Sequence, residues 1–175
     1  MTGSSRLVVF DLETTGLSPR SGHRVIEIGA VAVENGRLGA EFHSLISTDQ
    51  PIHWAARKVH GISSRMLAGQ PDAATVFSRF REFIASDPLV AHNAPFDLRF
   101  LASEFARLGL ALPNPSFCTL RLSRSRYPQL SSHKLENLAR YLLGAEALAG
   151  ERLHRALADA RLTAKIWLRM NRDCC

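Results

Sequence analysis

Residues 9–17, VFDLETTGL, place two carboxylates at the end of an apolar run and directly before a Thr-Thr-Gly turn. Residues two apart in a β-strand point to the same face, so Asp11 and Glu13 would stand side by side. The apolar pattern assigns that face to the interior of the protein. Burying two like charges side by side is costly, so the pair needs an explanation that an ordinary strand does not supply.

The same kind of periodicity divides the rest of the chain into strands and helices. Strands are expected over residues 6–12, 25–33, 38–46 and 89–91. The second and third are joined by the tight-turn pair Asn35-Gly36. Helices are expected over residues 51–59, 72–85, 94–108, 135–143 and 156–170, and at most a short helix over residues 113–132. Asn93 is the expected N-cap of the third helix, with Pro95 in its first turn.

An antiparallel meander followed by alternating helices and strands predicts one α/β domain over residues 1–175, with a mixed sheet flanked by helices. Lys and Arg outnumber Asp and Glu by 22 to 16, a formal net charge of +6, which is compatible with a polyanionic partner. The three cysteines form neither a disulfide framework nor zinc-ligand spacing. The N-terminus lacks the apolar segment of a signal peptide, and no apolar run approaches the ~18 residues of a membrane span. We expect a soluble cytoplasmic protein.

Two further stretches carry candidate site residues. Residues 89–97, LVAHNAPFD, put Asp97 in the first turn of a helix after a buried strand, where it could also serve only to complement the helix dipole. Residues 154–160, HRALADA, contain His154 and Asp159. Five residues along a helix turn by about 500°, so these two side chains would lie about 140° apart and cannot share a helical face. If both serve one site, His154 lies on the loop entering the helix; alone, it would be a solvated loop residue.

Together these residues resemble the motif set of the DEDDh exonucleases, the histidine variant of the DEDD (DnaQ-like) superfamily, to which the proofreading epsilon subunits of bacterial DNA polymerase III belong. The likeness covers nearly the whole chain and is carried, in family order, by FDLETTGL, IEIGAV, VHGIS, LVAHNAPFDLRFL, CTL, HKLENLARYL and HRALADARLTA. The resemblance implies a ribonuclease H-like fold with a five-stranded mixed sheet. It also implies two divalent metal ions, Mg²⁺ or Mn²⁺, and 3′-to-5′ hydrolysis of nucleic acid.

The resemblance further implies a role for each site residue. Asp11, Glu13 and Asp159 would hold the metal that activates water. Asp11 would also bind the second metal, with Asp97 joining directly or through water. Two ions about 4 Å apart can clamp an in-line displacement at phosphorus. His154 would be the general base, because an imidazole with an ordinary pKa of about 6.5 suits proton transfer near neutral pH.

Residues implied to contact the substrate are Thr14, Thr15, Gly16, His60, Asn93 and Phe96. Without the resemblance, the Thr-Thr-Gly segment could be only a turn and the histidine only a helix end. Three basic residues could meet the phosphate backbone or form a solvated face, namely Arg121, Arg124 and Arg126.

The implied substrate is nucleic acid with a free 3′ end, first of all single-stranded DNA, which would release nucleoside 5′-monophosphates during proofreading or end-trimming. An RNA-trimming exoribonuclease of the same superfamily is the main alternative. An inactive nucleic-acid-binding module ranks below both, because all four acids and the histidine are present, and a metal-stabilised structural domain would not require His154. The family suggests a DNA polymerase as a partner and no membrane. The chain ends soon after the last predicted helix, so both a stand-alone trimming enzyme and the nuclease part of a longer protein are open.

Overall fold

A five-stranded mixed sheet forms the centre of the protein, which the computed structural model describes over residues 6–149 and 153–172. The strands are β1 (Arg6–Thr14), β2 (Val25–Glu34), β3 (Arg37–Leu45), β4 (Leu89–Ala91) and β5 (Ser116–Cys118). Their spatial order is β3-β2-β1-β4-β5. The first three strands pair antiparallel, whereas β4 is parallel to β1 and β5 is parallel to β4. The expected meander with added parallel strands is therefore confirmed.

Seven α-helices surround the sheet in the described residues. They are α1 (Trp54–His60), α2 (Ser64–Leu67), α3 (Ala73–Ile84), α4 (Ala94–Arg107), α5 (Thr119–Arg126), α6 (Leu135–Leu143) and α7 (Ala156–Arg172). Short 3₁₀ turns cover Pro19–Ser21 and Ala145–Leu148. No helix in the described ranges is both long and apolar enough to cross a membrane. The cysteine pair 174–175 lies outside the described residues.

Three local features differ from the sequence prediction. The strand β5 and the helix α2 were not predicted, because elements of three and four residues are too short to show a periodicity. Asn93 does precede α4, but its side chain caps no helix amide. Its φ of 66° is left-handed, a conformation that asparagine tolerates better than most residues, so Asn93 forms the turn rather than an N-cap hydrogen bond.

The two faces of β1 have different partners, and this difference creates the site. Val8, Phe10 and Leu12 belong to the main core together with phenylalanines of α3 and α4. Val9 points to the opposite face, where it packs with Ala164 of α7. Because side chains alternate along a strand, Asp11 and Glu13 continue the face of Val9. The helix α7 therefore covers the face that ends in the two carboxylates.

Close contact between α7 and β2 fixes where that helix begins. A Cβ atom added to Gly29 would lie 2.2 Å from the amide nitrogen of Leu157, so the strand and the first turn of α7 touch through their backbones. Gly29 is also the register partner of Asp11 on the neighbouring strand. The start of α7 is thus held directly beside the end of β1.

Candidate active site

Three carboxylates from two distant elements meet at one point. Asp11 and Glu13 come from the end of β1, and Asp159 comes from the first turn of α7. One ligand oxygen of each lies within 4.8 Å of the others. The expected pairing of the two strand acids is therefore present, and the packing of α7 adds the third.

The electrostatics of this cluster are unfavourable without a cation. Burial and, after it, the negative charge of Asp159 raise the pKa of Glu13 to about 8. Burial likewise raises the pKa of Asp159 to about 6. For Asp11, burial followed by the charges of neighbouring carboxylates holds the pKa well above its ordinary value. The three acids therefore resist ionising together, a property typical of a metal-binding cluster.

Asp97 adjoins this cluster without belonging to the close group of three. It lies in the first turn of α4 and is 3% exposed. Burial raises its pKa to about 8, although hydrogen bonds from the backbone amides of Asp97 and Leu12 oppose the rise. Among the neighbouring charges, that of Asp97 raises the pKa of Asp11 the most. The fourth expected acid is therefore beside the strand pair, and its link to β1 runs through the Leu12 amide.

The donor set fits divalent metal ions. Asp159 accepts a hydrogen bond at Oδ2 from the backbone amide of His154, at 3.1 Å. Its other oxygen, Oδ1, is buried and has no hydrogen-bond partner among the described residues. A buried carboxylate oxygen is normally satisfied, so an unpartnered one within an acidic cluster indicates a missing positive partner. Oxygen ligands from several carboxylates are the set that Mg²⁺ and Mn²⁺ prefer.

His154 lies on the segment before α7, where the sequence analysis expected it. Its backbone is left-handed, with φ at 59°, and its side chain is half exposed. The Nε2 atom lies 3.6 Å from Oε1 of Glu136 on α6. The imidazole therefore sits at the rim of the acidic cluster, while the His154 backbone amide is tied to Asp159 inside it.

An open groove of about 950 Å³ extends from the acids toward α5 and α6. Its lining includes Asp11, Asn93, Arg124, Lys134, Glu136 and His154. The expected arginine cluster is thus divided. Arg124 faces the groove, Arg121 is exposed but outside the lining, and the guanidinium of Arg126 donates to the carbonyl of Met170.

The Thr-Thr-Gly segment is a tightly bonded turn. The hydroxyl of Thr14 donates to the carbonyl of Gly16 at 2.6 Å, and Thr15 Oγ1 accepts from the amide of Arg24 at 2.9 Å. A Cβ on Gly16 would lie 2.4 Å from the His23 ring, so this position has no room for a side chain. Both hydroxyls therefore help to hold the turn.

The remaining expected substrate contacts differ in how available they are. His60 is buried and accepts the amide proton of Ile62 at Nδ1, at 2.9 Å, so its ring proton is on Nε2. That Nε2 atom is buried, and burial lowers the pKa of the ring although a hydrogen bond to the backbone of Thr14 opposes the shift. Phe96 is half-buried and packs against Phe100, with ring centroids 5.1 Å apart. Asn93 lines the groove.

The sequence analysis did not identify Glu27, a fully buried carboxylate of β2. Burial pushes its pKa upward, but hydrogen bonds from its donors outweigh burial and lower the pKa to about 2. Glu27 is therefore ionised inside the protein. The signal was present in the sequence VIEIGAV, where a single acid interrupts a strand that is otherwise apolar.

Comparison with known proteins was consistent across three kinds of relatives. A family described as exonucleases matches residues 8–167. The DNA polymerase III subunit epsilon of Rickettsia felis is 38% identical over 174 residues, which cover 95% of this chain and 74% of that protein. Exonuclease X, solved in complex with 5′-overhanging duplex DNA, has a TM-score of 0.77 and 29% identity, covering 95% of this chain and 92% of the other. The nuclease domain of 3′hExo, a DEDDh family member bound to rAMP, shares the fold with a TM-score of 0.80 at 18% identity, covering 99% and 95%.

Proposed function

The chain belongs to the exonuclease family and is a 3′-to-5′ exonuclease, and we propose that it removes nucleoside 5′-monophosphates from the free 3′ end of single-stranded DNA. The observation that carries the proposal is the cluster of Asp11, Glu13 and Asp159 at one end of an open groove. A cluster of carboxylates with raised pKa values in a groove is the arrangement expected where metal ions act on a phosphodiester.

The same acids would hold two Mg²⁺ or Mn²⁺ ions. Asp11, Glu13 and Asp159 would share the first, and Asp11 with Asp97 the second. When bound, the ions would make the attacking water more acidic and stabilise the departing 3′ oxygen. The protein contributes rigid attachment, since β1 and the first turn of α7 fix the three oxygens before any substrate arrives.

His154 would accept the proton of the attacking water. Its position at the rim of the acid cluster places the imidazole between the groove and bulk solvent, so that the proton can leave to water. Glu136 would stabilise the protonated ring, since its carboxylate already lies 3.6 Å from Nε2. A general base of this kind contributes about 10²–10⁴-fold to a rate.

The groove would hold the nucleic-acid strand. Arg124 of α5 and Lys134, directly before α6, line the groove. Positive side chains bind phosphates without regard to base sequence, so they would keep the strand in place during repeated cleavage. The net charge of +6 adds to this attraction.

Labelled oligomers test the proposal directly. Single-stranded DNA and RNA, each labelled at the 5′ or the 3′ end, are incubated with the protein and Mg²⁺ or Mn²⁺. We expect 5′-labelled DNA to shorten stepwise, while 3′-labelled DNA releases a labelled mononucleotide at once. Covalently closed single-stranded circles should resist, and rapid cutting of circles would contradict the proposal. RNA hydrolysed faster than DNA would favour the exoribonuclease alternative.

Metal-site variants assign the activity to this site. Asp159→Ala should lose hydrolysis, because it removes the acid supplied by α7. Glu82→Ala is the matched control, since Glu82 is an exposed acid on α3. Loss of activity in both variants, or in neither, would contradict the assignment.

We further propose a proofreading or DNA end-trimming role in the cytoplasm, with a DNA polymerase as the candidate partner. The support is the likeness to a protein named as a polymerase subunit. A mispaired 3′ end frays more readily than a paired one, so it should enter the groove and be removed faster. The measurement compares the rate at which the 3′-terminal nucleotide is released from primers that differ only in their terminal base pair. Equal rates would leave end-trimming as the role.

A further inference from the structure

The carboxylate of Glu27 holds the junction between the His154 segment and α7. Its Oε1 and Oε2 atoms each lie 3.0 Å from Nε of Arg155, and Oε1 lies 2.6 Å from Nη2. The backbone amide of Ala156, the first residue of α7, donates to Oε2 at 3.2 Å. One buried anion therefore binds both the residue after His154 and the start of the helix that carries Asp159.

A third contact makes this arrangement rigid. His43 on β3 lies with its Nε2 atom 2.8 Å from Oε1 of Glu27, so the anion is also held from the neighbouring strand. Gly29 lies two residues further along β2 on the same face, where its backbone contacts the backbone of α7 directly. The contacts of Glu27 and Gly29 together fix the position of the first turn of α7 against the sheet.

His154 needs such support because of its backbone. A left-handed φ of 59° is unfavourable for a histidine and persists only where the surroundings impose it. Two contacts hold the backbone here. The amide of His154 donates to Asp159, and the guanidinium of the next residue, Arg155, donates to Glu27. The half-exposed side chain of His154, in contrast, lies 3.6 Å from the carboxylate of Glu136 and is held by no buried contact of this kind within the described part of the chain.

We infer that Glu27 is a positioning residue for the hydrolytic reaction, which fixes the backbone of His154 through Arg155 and Ala156 so that the imidazole reaches the attacking water. The inference rests on the proposed function, because it assigns Glu27 a part in the same reaction. Glu27 is fully buried and does not line the groove, so it acts on the rate of the chemical step and not on substrate binding.

The variant Glu27→Gln keeps the size of the side chain but removes the charge that Arg155 and Ala156 bind. We expect kcat for a single-stranded oligomer to fall about 10–100-fold, the loss typical of a reacting group displaced by about 1 Å. KM should stay within about twofold. An unchanged kcat in a folded variant would overturn the inference.

A double-mutant cycle separates positioning from general damage. If Glu27 acts through His154, then adding Glu27→Gln to a His154→Ala enzyme should lower the residual kcat by less than about twofold, because the group being positioned is already gone. An equal loss in both backgrounds would show that Glu27 acts elsewhere, for example on the metal ligands, and would overturn the inference.

The chain contains a matched control for the ion pair. Arg161, also on α7, forms a bidentate pair with Glu41 on β3 at 2.6 and 2.7 Å, but this pair is on the surface. We expect Glu41→Gln to keep kcat within about twofold of the wild-type value. Inactive wild-type protein would refute the proposed function, whereas activity that survives in Glu27→Gln refutes the positioning role alone.

A second variant keeps the inference testable if Glu27→Gln does not fold. Arg155→Lys retains the positive charge opposite Glu27 but replaces the two-pronged guanidinium by a single ammonium group. We expect kcat to fall about tenfold, and the loss to vanish in the His154→Ala background. Thermal melting and Mg²⁺ titration confirm that the variant is folded and binds metal. A folded Arg155→Lys enzyme with wild-type kcat would overturn the inference.

Discussion

Asp11 is the residue on which the charge repulsion of the site converges, because burial raises its pKa first and four other carboxylates raise it further. We expect Asp11→Asn to lower hydrolysis by about 10²-fold or more through loss of a metal ligand. The same change should raise the melting temperature of the metal-free protein at neutral pH, since it removes a buried carboxyl group that ionises freely in the unfolded chain but resists ionising in the fold. One kcal/mol corresponds to about 2–4 °C for a protein of this size.

The two measurements on Asp11→Asn need to be made together. Loss of activity with an unchanged or higher melting temperature separates loss of function from loss of fold. Glu82→Gln, on the exposed face of α3, is the control for removing a carboxylate. Turnover close to wild type in Asp11→Asn would refute the site assignment.

His154 gives a prediction in the dependence of rate on pH. If the imidazole accepts a proton from water, kcat at saturating Mg²⁺ should rise from acid pH and level off on the alkaline side. His154→Ala should lose about 10²–10⁴-fold in kcat and lose this rise. It should still bind Mg²⁺, because the cluster of close ligand oxygens does not include the histidine.

Metal release can imitate the pH profile of a base. The acids have raised pKa values and take up protons as the pH falls, so metal occupancy must be measured at every pH used. A His154→Ala enzyme with full activity and an unchanged profile would remove the base from the mechanism.

At the scale of secondary-structure elements, the contact between β2 and α7 controls the site. Gly29→Ala would place a methyl carbon 2.2 Å from the Leu157 nitrogen, far inside van der Waals contact with the backbone of α7. The helix must then move, and Asp159 and His154 move with it. We expect the overpacking to lower the unfolding free energy by about 1–3 kcal/mol. We expect kcat to fall by a larger fraction of its wild-type value than the unfolding free energy does.

A second glycine in the same sheet supplies the control. A Cβ on Gly39 of β3 would meet its nearest atom, Cδ of Glu34, at 3.4 Å, which a flexible side chain can accommodate. Gly39→Ala should therefore leave kcat unchanged. Wild-type kcat and stability in Gly29→Ala would show that α7 does not need its present position.

The elements also show what the sequence could predict. The strand β1 and its two acids were predicted because a spacing of two in a strand is a local pattern that needs no tertiary information. The convergence of Asp97 and Asp159 on that strand came from family resemblance, since no spacing along the chain encodes it. β5 was missed because it has three residues, of which Ser116 and Phe117 are exposed.

Glu27 was missed for a different physical reason. A single acid in an apolar strand is compatible with a ligand, a buried ion pair or a strand edge, and its partner decides between them. That partner, Arg155, lies 128 residues away along the chain. Pairings of this kind become visible only when the fold brings the two segments together.

For the whole molecule, the acid cluster predicts how stability responds to pH and metal. Between the ordinary carboxyl pKa of about 4 and the raised values of about 6 for Asp159 and about 8 for Glu13, the folded protein holds protons that the unfolded chain releases. The unfolding free energy of the metal-free protein therefore falls as pH rises through this window. Glu27 acts oppositely: its stabilising charge is lost only as the pH falls toward about 2.

The measurement is the difference in melting temperature with and without saturating Mg²⁺, from pH 6 to pH 8.5. We expect this difference to grow with pH, because Mg²⁺ binds the ionised acids that repel one another in its absence. All other groups titrate in both samples, so the difference reports the site. In Asp11→Asn the difference should be small at every pH, and a difference that does not depend on pH would contradict the raised pKa values.

The meeting of β1 with α7 also bears on how the enzyme is made. The ribosome releases the β1 carboxylates early and the helix with Asp159 last among the parts of the site. A nascent chain therefore carries an incomplete metal cluster until α7 has left the exit tunnel and packed on the sheet. A nuclease assembled in this order cannot attack nucleic acid near the translation machinery before α7 has been synthesised.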